Sequence, residues 1–311
     1  MTTTFGYCVE AAIDWDELVD LATELDRNSR FDSLWVSDAL VANGLPDWPR
    51  LDAWTALAAV AHTTSRLRLG VLVSGNAYRH PALLAKIVTT IDRISGGRVQ
   101  LGIGAGWPGE NRRYGIDFWS RRERLERLEE AVQVIKLLWT QERPTFTGRY
   151  YALDGPPYSP KNVQQPHPPI LVGGGSDPML RAIARHADKA SPMIDAAQAK
   201  AKVVAYCGEI GRDPAEIRWV GGGSLFLDDD AAMQKRAAAY GAQLYGGTEE
   251  DTMRGDLFGS LEKVKAGVGR QLDSGMDEIV VFQLPQVHLK SLLRFSDKVI
   301  PSFSGGHAGA A

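Results

Sequence analysis

The apolar positions of this chain switch period repeatedly, and the switching lays out its elements. Residues 5–9 form a short apolar run. Behind Asp14 or Asp16 as caps, Leu18, Val19, Leu21, Ala22 and Leu25 then recur at helical spacing. The same alternation returns along the chain. Further strands are predicted over 33–36, 67–73, 99–103, 170–172, 187–193, 217–227 and 278–282. Helices are predicted over 52–62, from Pro81 through the stripe Leu83, Leu84, Ile87, Ile91 and Ile94, and over 125–139, where Leu125, Leu128, Val132, Ile135, Leu138 and Trp139 face inward. Others start at Asp177 and cover 196–210, 261–272 and 287–299.

Strands alternating strictly with helices argue for parallel neighbours, because a parallel pair needs a long crossover. Repeated over the chain, this gives a (β/α)8 TIM barrel spanning 1–301 as one domain, with its site at the carboxyl ends of the strands. Three stretches depart from the rhythm. Residues 146–153, with Gly148 in the middle, read as a small hairpin, and 156–169 as a proline-punctuated connection. Residues 228–260 are polar, alanine-rich and irregular, longer than a connection near the seventh strand needs. The small, polar tail 302–311 is expected to be disordered.

Composition narrows the partners. The chain has 311 residues, 44% hydrophobic and 23% charged, ordinary for a globular protein with a large core. A formal charge of −3 without basic runs argues against nucleic acid. The longest apolar run, 53–61, is too short to cross a bilayer, and the amino terminus lacks the pattern of a secretory signal. Cys8 and Cys207 form no metal-like cluster; both fit core packing in a reduced, cytoplasmic protein.

Candidate chemistry collects at the strand ends. Asp38 follows the second strand, and Ser74, Gly75 and Asn76 the third. Gly104, Ala105 and Gly106 follow the fourth, and Gly173, Gly174, Gly175 and Ser176 the fifth, where they open a helix. The last group suits a phosphate, because glycines let backbone N–H groups face an anion and the helix start adds positive potential. A tight turn is the plainer alternative. Residues 104–109 satisfy Gly-x-Gly-x-x-Gly, but Pro108 and the polar stretch after it start no helix, so a dinucleotide fold is disfavoured. His80 flanks the floor as either a capping group or a catalytic one, and Trp107 and Glu110 lie beyond the fourth strand. No Gly-x-Ser-x-Gly elbow, His-Glu-x-x-His or Cys/His cluster occurs, which disfavours serine or zinc hydrolysis.

The run RHPALLAKIVTTIDRISGGRVQLGIGAGW, residues 79–107, resembles the signature region of the luciferase-like monooxygenase superfamily, with supporting matches in SLWVSD (33–38), LRLGVLVSG (67–75), PILVGGGS (169–176) and LLRFSDKVIP (292–301). The resemblance implies a barrel with an insertion near strand seven and a cofactor, F420 or FMN, across its mouth. By that resemblance Asp38 borders the ring's pyrimidine side, and Ser74, Gly75 and Asn76 meet its face or edge. Gly104, Ala105 and Gly106 pass beside its side chain, and Gly174, Gly175 and Ser176 hold its phosphate. It also implies a non-proline cis peptide, expected here at Ser74–Gly75, and a homodimer. Many relatives carry a histidine after the second-strand aspartate where this chain has Ala39. Catalytic roles therefore pass to Trp107, His80 or Glu110. The expected activity is F420-dependent hydride transfer on a small organic substrate. FMNH2-dependent oxygenation, a non-catalytic flavin-binding relative and a phosphate-binding barrel isomerase or aldolase are the alternatives.

Overall fold

The computed structural model describes residues 2–9, 13–41, 49–106, 111–192, 195–245, 247–283 and 289–303. In chain order its elements are β1 (Thr4–Val9), α1 (Trp15–Asn28), β2 (Ser33–Val36), α2 (Ala53–Thr63), β3 (Arg68–Gly75), α3 (Pro81–Ile94), β4 (Val99–Gly104) and α4 (Arg121–Thr140). The hairpin strands β5 (Thr145–Thr147) and β6 (Ala152–Asp154) follow, then β7 (Ile170–Gly173), α5 (Asp177–His186), β8 (Lys189–Ser191), α6 (Ala196–Ile210) and β9 (Arg218–Leu227). The chain continues with α7 (Ala231–Tyr245), α8 (Glu249–Arg254), β10 (Phe258–Gly259), α9 (Leu261–Asp273), β11 (Glu278–Gln283) and α10 (Leu289–Lys298). The fold is a (β/α)8 barrel, with β1, β2, β3, β4, β7, β8, β9 and β11 as its parallel strands. It divides into two compact units.

One unit comprises Met1–Val36, Leu40–Leu51 and Arg218–Ala311. Here β1 lies between β2 and β11, both parallel to it, and β11 pairs in turn with β9. Phe5, Phe31 and Phe295 fill the space beneath, with Phe31 and Phe295 stacked at 5.9 Å between ring centroids. The segment 228–260, expected to be irregular, folds into α7, α8 and β10. In α7 alanine favours helix without leaving an apolar stripe, and the six-residue α8 is almost wholly polar, so neither carries a periodic signal. They close over their own small core of Phe226, Ala237, Ala238 and Phe258, with Met233, Tyr240 and Met253 against it. Thr248 and Asp251 cap α8 reciprocally. Ile300–Ser302 form a short 3₁₀ turn where the tail was expected to begin, and 304–311 lie outside the described residues.

The other unit comprises Ser37–Ala39 and Asp52–Ile217 and carries β3, β4, β7 and β8 side by side. The proline-punctuated connection is pinned by the buried Asp92 of α3, which accepts N–H bonds from Val163 at 2.6 Å and Gln164 at 3.0 Å. The non-proline cis peptide is at Leu72–Val73 rather than Ser74–Gly75. It falls within the register shift of β3 against β4, between Val71 and Ser74. Only a residue without a side chain fits opposite: a Cβ on Gly102 would stand 2.1 Å from the Val71 carbonyl oxygen.

His186, at the end of α5, has a carbonyl that accepts from Lys136 at 2.8 Å. Burial, with the charges of Lys136, Arg185 and Arg212 adding to it, pushes its imidazole down to about 4. A base depressed in the folded state is protonated first in the unfolded chain. Its contribution is therefore complete above about pH 6.5 and is lost as pH falls from there to about 4. The whole window is worth at most about 3 kcal/mol, less for a half-buried ring. Urea unfolding of wild type and His186→Gln at pH 7, 5.5 and 4.5 should show a steeper acid decline in wild type; parallel declines would rule this group out.

Candidate active site

The carboxyl end of β3 is built around an ion-pair cluster. Ser74 is fully buried; its Oγ donates to Asp38 Oδ2 at 2.7 Å and accepts from Trp54 Nε1 at 3.1 Å. Arg79 grips the same carboxylate with both terminal nitrogens, 2.7 Å to Oδ2 and 3.3 Å to Oδ1. Its second nitrogen also pairs with Asp52, the N-cap of α2. The side chains of Arg79 and Asp38 are only 14% and 6% exposed. Burial works against the Arg79 cation, yet the two aspartates outweigh it and raise its affinity for the proton. Burial likewise opposes ionisation of Asp52, but its bonds from Thr55 and the Arg79 charge hold its carboxyl below the ordinary range. Both oxygens of Asp38 are thus engaged within the protein, which makes it an organiser of this floor.

Beside this cluster stand three groups with unspent hydrogen-bonding capacity. Asn76 is 4% exposed, its backbone N–H bonded to the Gly104 carbonyl at 3.0 Å. Its Nδ2 donates to the Tyr151 hydroxyl at 3.5 Å, whereas its buried Oδ1 receives no hydrogen bond. His80 is the N-cap of α3, where Nδ1 accepts from the Ala82 N–H at 3.2 Å. That bond fixes the neutral ring's proton on Nε2, making Nε2 a donor. The Tyr151 ring lies edge-on to the His80 ring, 5.4 Å between centroids.

Tyr151 reaches this position because its hairpin is nailed to α4. One carboxylate, Glu130, accepts the backbone N–H groups of Arg149 at 2.8 Å, Tyr150 at 2.9 Å and Tyr151 at 3.1 Å. A Cβ on Gly148 would lie 2.3 Å from Glu130 Oε2, so glycine is what allows the approach. Tyr150 donates to Glu126 at 2.5 Å, and Arg127 is sandwiched between the Trp119 and Tyr150 rings at 3.9 and 4.3 Å.

At the next strand ends the backbone is bare. Arg124 of α4 donates to the carbonyls of Gly106 at 2.8 Å and Ala105 at 3.4 Å, holding the loop beyond β4. Gly104 is bare partly for packing, since a Cβ there would meet Val73 at 2.9 Å. Gly75 is bare for the same kind of reason, a Cβ there meeting the Tyr78 ring at 2.8 Å. Beyond β7, Gly174 has φ +141° and bonds the Ser191 carbonyl at 3.1 Å. Ser176 is the N-cap of α5, and its hydroxyl makes no cap bond. Asp177 would repel an anion at this helix start, but Lys202 pairs with it at 2.7 Å. Trp107 and Glu110, expected in catalytic roles, lie outside the described residues.

The sequence-predicted residues Asp38, Ser74, Asn76 and His80 therefore gather at one place. Arg79, Trp54, Asp52 and Tyr151 complete it. Arg79 had only its adjacency to His80 to mark it, and Trp54 none beyond an apolar helix face. Among the described residues no cluster of His, Cys, Asp and Glu suits a metal, and no helix is long and apolar enough to cross a membrane. Lys189, at the amino end of β8, is buried with its Nζ on Gln100 Oε1 at 2.5 Å. It lies away from the strand ends where an aldolase lysine is needed.

An acceptor, donors and a helix start thus stand together at the strand ends of a (β/α)8 barrel, the end at which such barrels carry their sites. A family model described as luciferase-like monooxygenase matches residues 2–281, and the chain belongs to that family. It is 37% identical over 161 residues to the F420-dependent glucose-6-phosphate dehydrogenase of Kineococcus radiotolerans, covering 51% of this chain and 47% of the relative. It is 33% identical over 219 residues to a phthiodiolone/phenolphthiodiolone dimycocerosates ketoreductase of Mycobacterium sp. (strain JLS), covering 61% of this chain and 56% of the relative. The chain thus spans about half the length of these curated relatives. In fold it is similar to an F420-dependent secondary alcohol dehydrogenase in complex with an F420-acetone adduct (TM-score 0.81, 20% identity, 97% of this chain and 99% of that one). It is also similar to the long-chain alkane monooxygenase LadA (TM-score 0.80, 16% identity, 97% and 91%).

Removing one member of a buried ion pair strands the other. Arg79→Met should cost about 3 kcal/mol by leaving Asp38 buried without its cation. Asp38→Asn should cost less, because Arg79 keeps Asp52. Equilibrium urea unfolding measures both; a loss under about 1 kcal/mol for Arg79→Met would show that the cluster is not what holds the floor.

Proposed function

We propose that this chain is an oxidoreductase that transfers a hydride between the 5-deazaflavin coenzyme F420 and a small organic substrate. The observation that carries the reading is the pairing of a buried, donor-free acceptor, Asn76 Oδ1, with an open helix start at Ser176. A flavin-type ring with N–H groups on one edge and a phosphate on its side chain complements both. The residues that would hold it are Ser74, Gly75 and Asn76 over the Asp38–Arg79 cluster. Gly104, Ala105 and Gly106 would lie along the side chain, and Gly174, Gly175 and Ser176 around the phosphate. Bound there in its reduced form, such a group supplies a hydride; the protein positions it and excludes water.

The preference for F420 is supported by the names of relatives that share sequence, which include an F420-dependent dehydrogenase and a ketoreductase. The alternative is an FMNH2-dependent monooxygenase, supported by likeness of fold to LadA. The two separate chemically, because reduced flavin activates oxygen and the deazaflavin reacts poorly with it.

Titrating the protein with F420 and with FMN while following their fluorescence tests the reading. F420 should saturate at least about tenfold tighter than FMN, and Ser176→Asp should weaken binding of either by about tenfold through charge repulsion at the helix start. Tighter FMN binding would favour oxygenation; binding of neither would sink both readings.

A further inference from the structure

The hairpin between α4 and β7 is fixed by more than the pairing of its own two strands. Three backbone N–H groups converge on one carboxylate, Glu130, to fix the chain at Tyr151. The side chain so fixed touches two residues at the carboxyl end of β3, accepting from Asn76 and packing edge-on to His80. In the bond with Asn76 the Tyr151 oxygen accepts, so its own proton is unspent; among the described residues it is donated to no acceptor. His80 is in the same condition, its Nδ1 occupied as a helix cap and its Nε2 left as a donor. Asn76 is the converse, a buried amide whose oxygen lacks a donor. The cluster therefore offers two adjoining donors and one buried acceptor. Buried polar groups are satisfied in folded proteins, so the Asn76 oxygen, 4% exposed and without a donor, implies a ligand that closes it, and the half-buried Tyr151 and the exposed His80 stand beside it as donors at the rim.

We propose, building on the oxidoreductase reading above, that Tyr151 is a catalytic residue and that the substrate class is a ketone interconverted with its secondary alcohol. Asn76 bridges the two halves of the site, its Oδ1 facing an N–H of the cofactor ring and its Nδ2 orienting the Tyr151 oxygen. The substrate carbonyl oxygen then accepts from the Tyr151 hydroxyl, with His80 Nε2 as the second donor. In the reduction direction the carbonyl carbon gains the hydride, and with it two electrons from the reduced cofactor, which is oxidised. The C=O π pair moves onto oxygen, and the oxygen takes the proton of Tyr151. Tyr151 is only partly buried and is reprotonated from solvent; the reverse sequence oxidises the alcohol. Donors aimed at an oxygen that becomes negative during the reaction stabilise the transition state more than the ground state.

Full-length wild type, Tyr151→Phe and, as a control on hairpin placement, Glu130→Gln are compared by four measurements. These are F420 binding by fluorescence, binding of acetophenone to the complex with oxidised F420, turnover of acetophenone, cyclohexanone and their alcohols, and the solvent deuterium isotope effect on kcat. The expected result is that Tyr151→Phe binds F420 within about twofold of wild type, binds acetophenone at least about fivefold more weakly and loses at least about 30-fold in kcat. Its solvent isotope effect changes as well, which a purely structural role would not produce. Glu130→Gln loses kcat but keeps the wild-type isotope effect. The proposal is overturned if Tyr151→Phe turns over within about threefold of wild type, if it loses F420 affinity in proportion to kcat, or if wild type with F420 bound turns over none of these compounds. Failure of wild type to bind F420 or FMN at all is a different result, and it removes the oxidoreductase reading together with this one.

Discussion

Everything at the carboxyl end of β3 depends on one guanidinium. Arg79 sits between Asp38 and Asp52, two carboxylates that would repel each other without it. Its grip on Asp38 fixes the acceptor for Ser74, and Ser74 in turn receives the Trp54 indole from α2. His80 and α3 follow Arg79 directly in the chain, so anchoring Arg79 also sets where that helix begins. An ion pair this buried adds little net stability over apolar residues of the same size, because desolvation offsets most of the attraction. Its value is geometric, since a planar cation with two fixed partners has few other ways to sit.

A second anchor works from α4. Glu130 holds the 149–151 backbone from α4, and Arg127 locks the neighbouring Tyr150 ring. Between these anchors lie Asn76, His80 and Tyr151, the groups with capacity to spare. Rigid supports around unsatisfied groups are the arrangement expected of a preorganised site, where the supports absorb the ordering cost before any ligand arrives.

The barrel was legible because its strands and helices are buried on faces that write a period into the sequence. Residues 33–36 and 196–210 were read with the bounds the structure has, and the strand expected over 67–73 runs from Arg68 to Gly75. Of the helices in 228–260, α7 gives no periodic signal because its alanines favour helix without marking a face, and α8 gives none because it is short and polar. Position rather than kind was missed for the cis peptide, which falls where Gly102 clears the Val71 carbonyl, a pairing that β3 alone does not reveal. The floor residues Asp38, Ser74 and Asn76 were readable from their place at strand ends. Arg79 was not, since its partners lie 41 and 27 positions away and a charge carries no periodic signal. Tyr151 was visible as part of a hairpin, but not as a neighbour of His80.

Ala39 sharpens what the site must do. A small apolar side chain beside Asp38 cannot move a proton, and Asp38 itself is engaged by Arg79 and Ser74. In the proposed hydride transfer to a carbonyl, the oxygen left negative must be protonated or neutralised, so the proposal seats the group responsible elsewhere on the floor. Beside Asn76, His80 and Tyr151 each combine an unspent donor with a fixed orientation. The histidine's other nitrogen is committed to the helix cap, so swinging the ring to shuttle a proton would uncap α3. The tyrosine carries no such penalty, because its backbone, not its hydroxyl, is what Glu130 holds. Under the proposal above, Ala39 leaves proton delivery to the hairpin, whose backbone Glu130 holds in place.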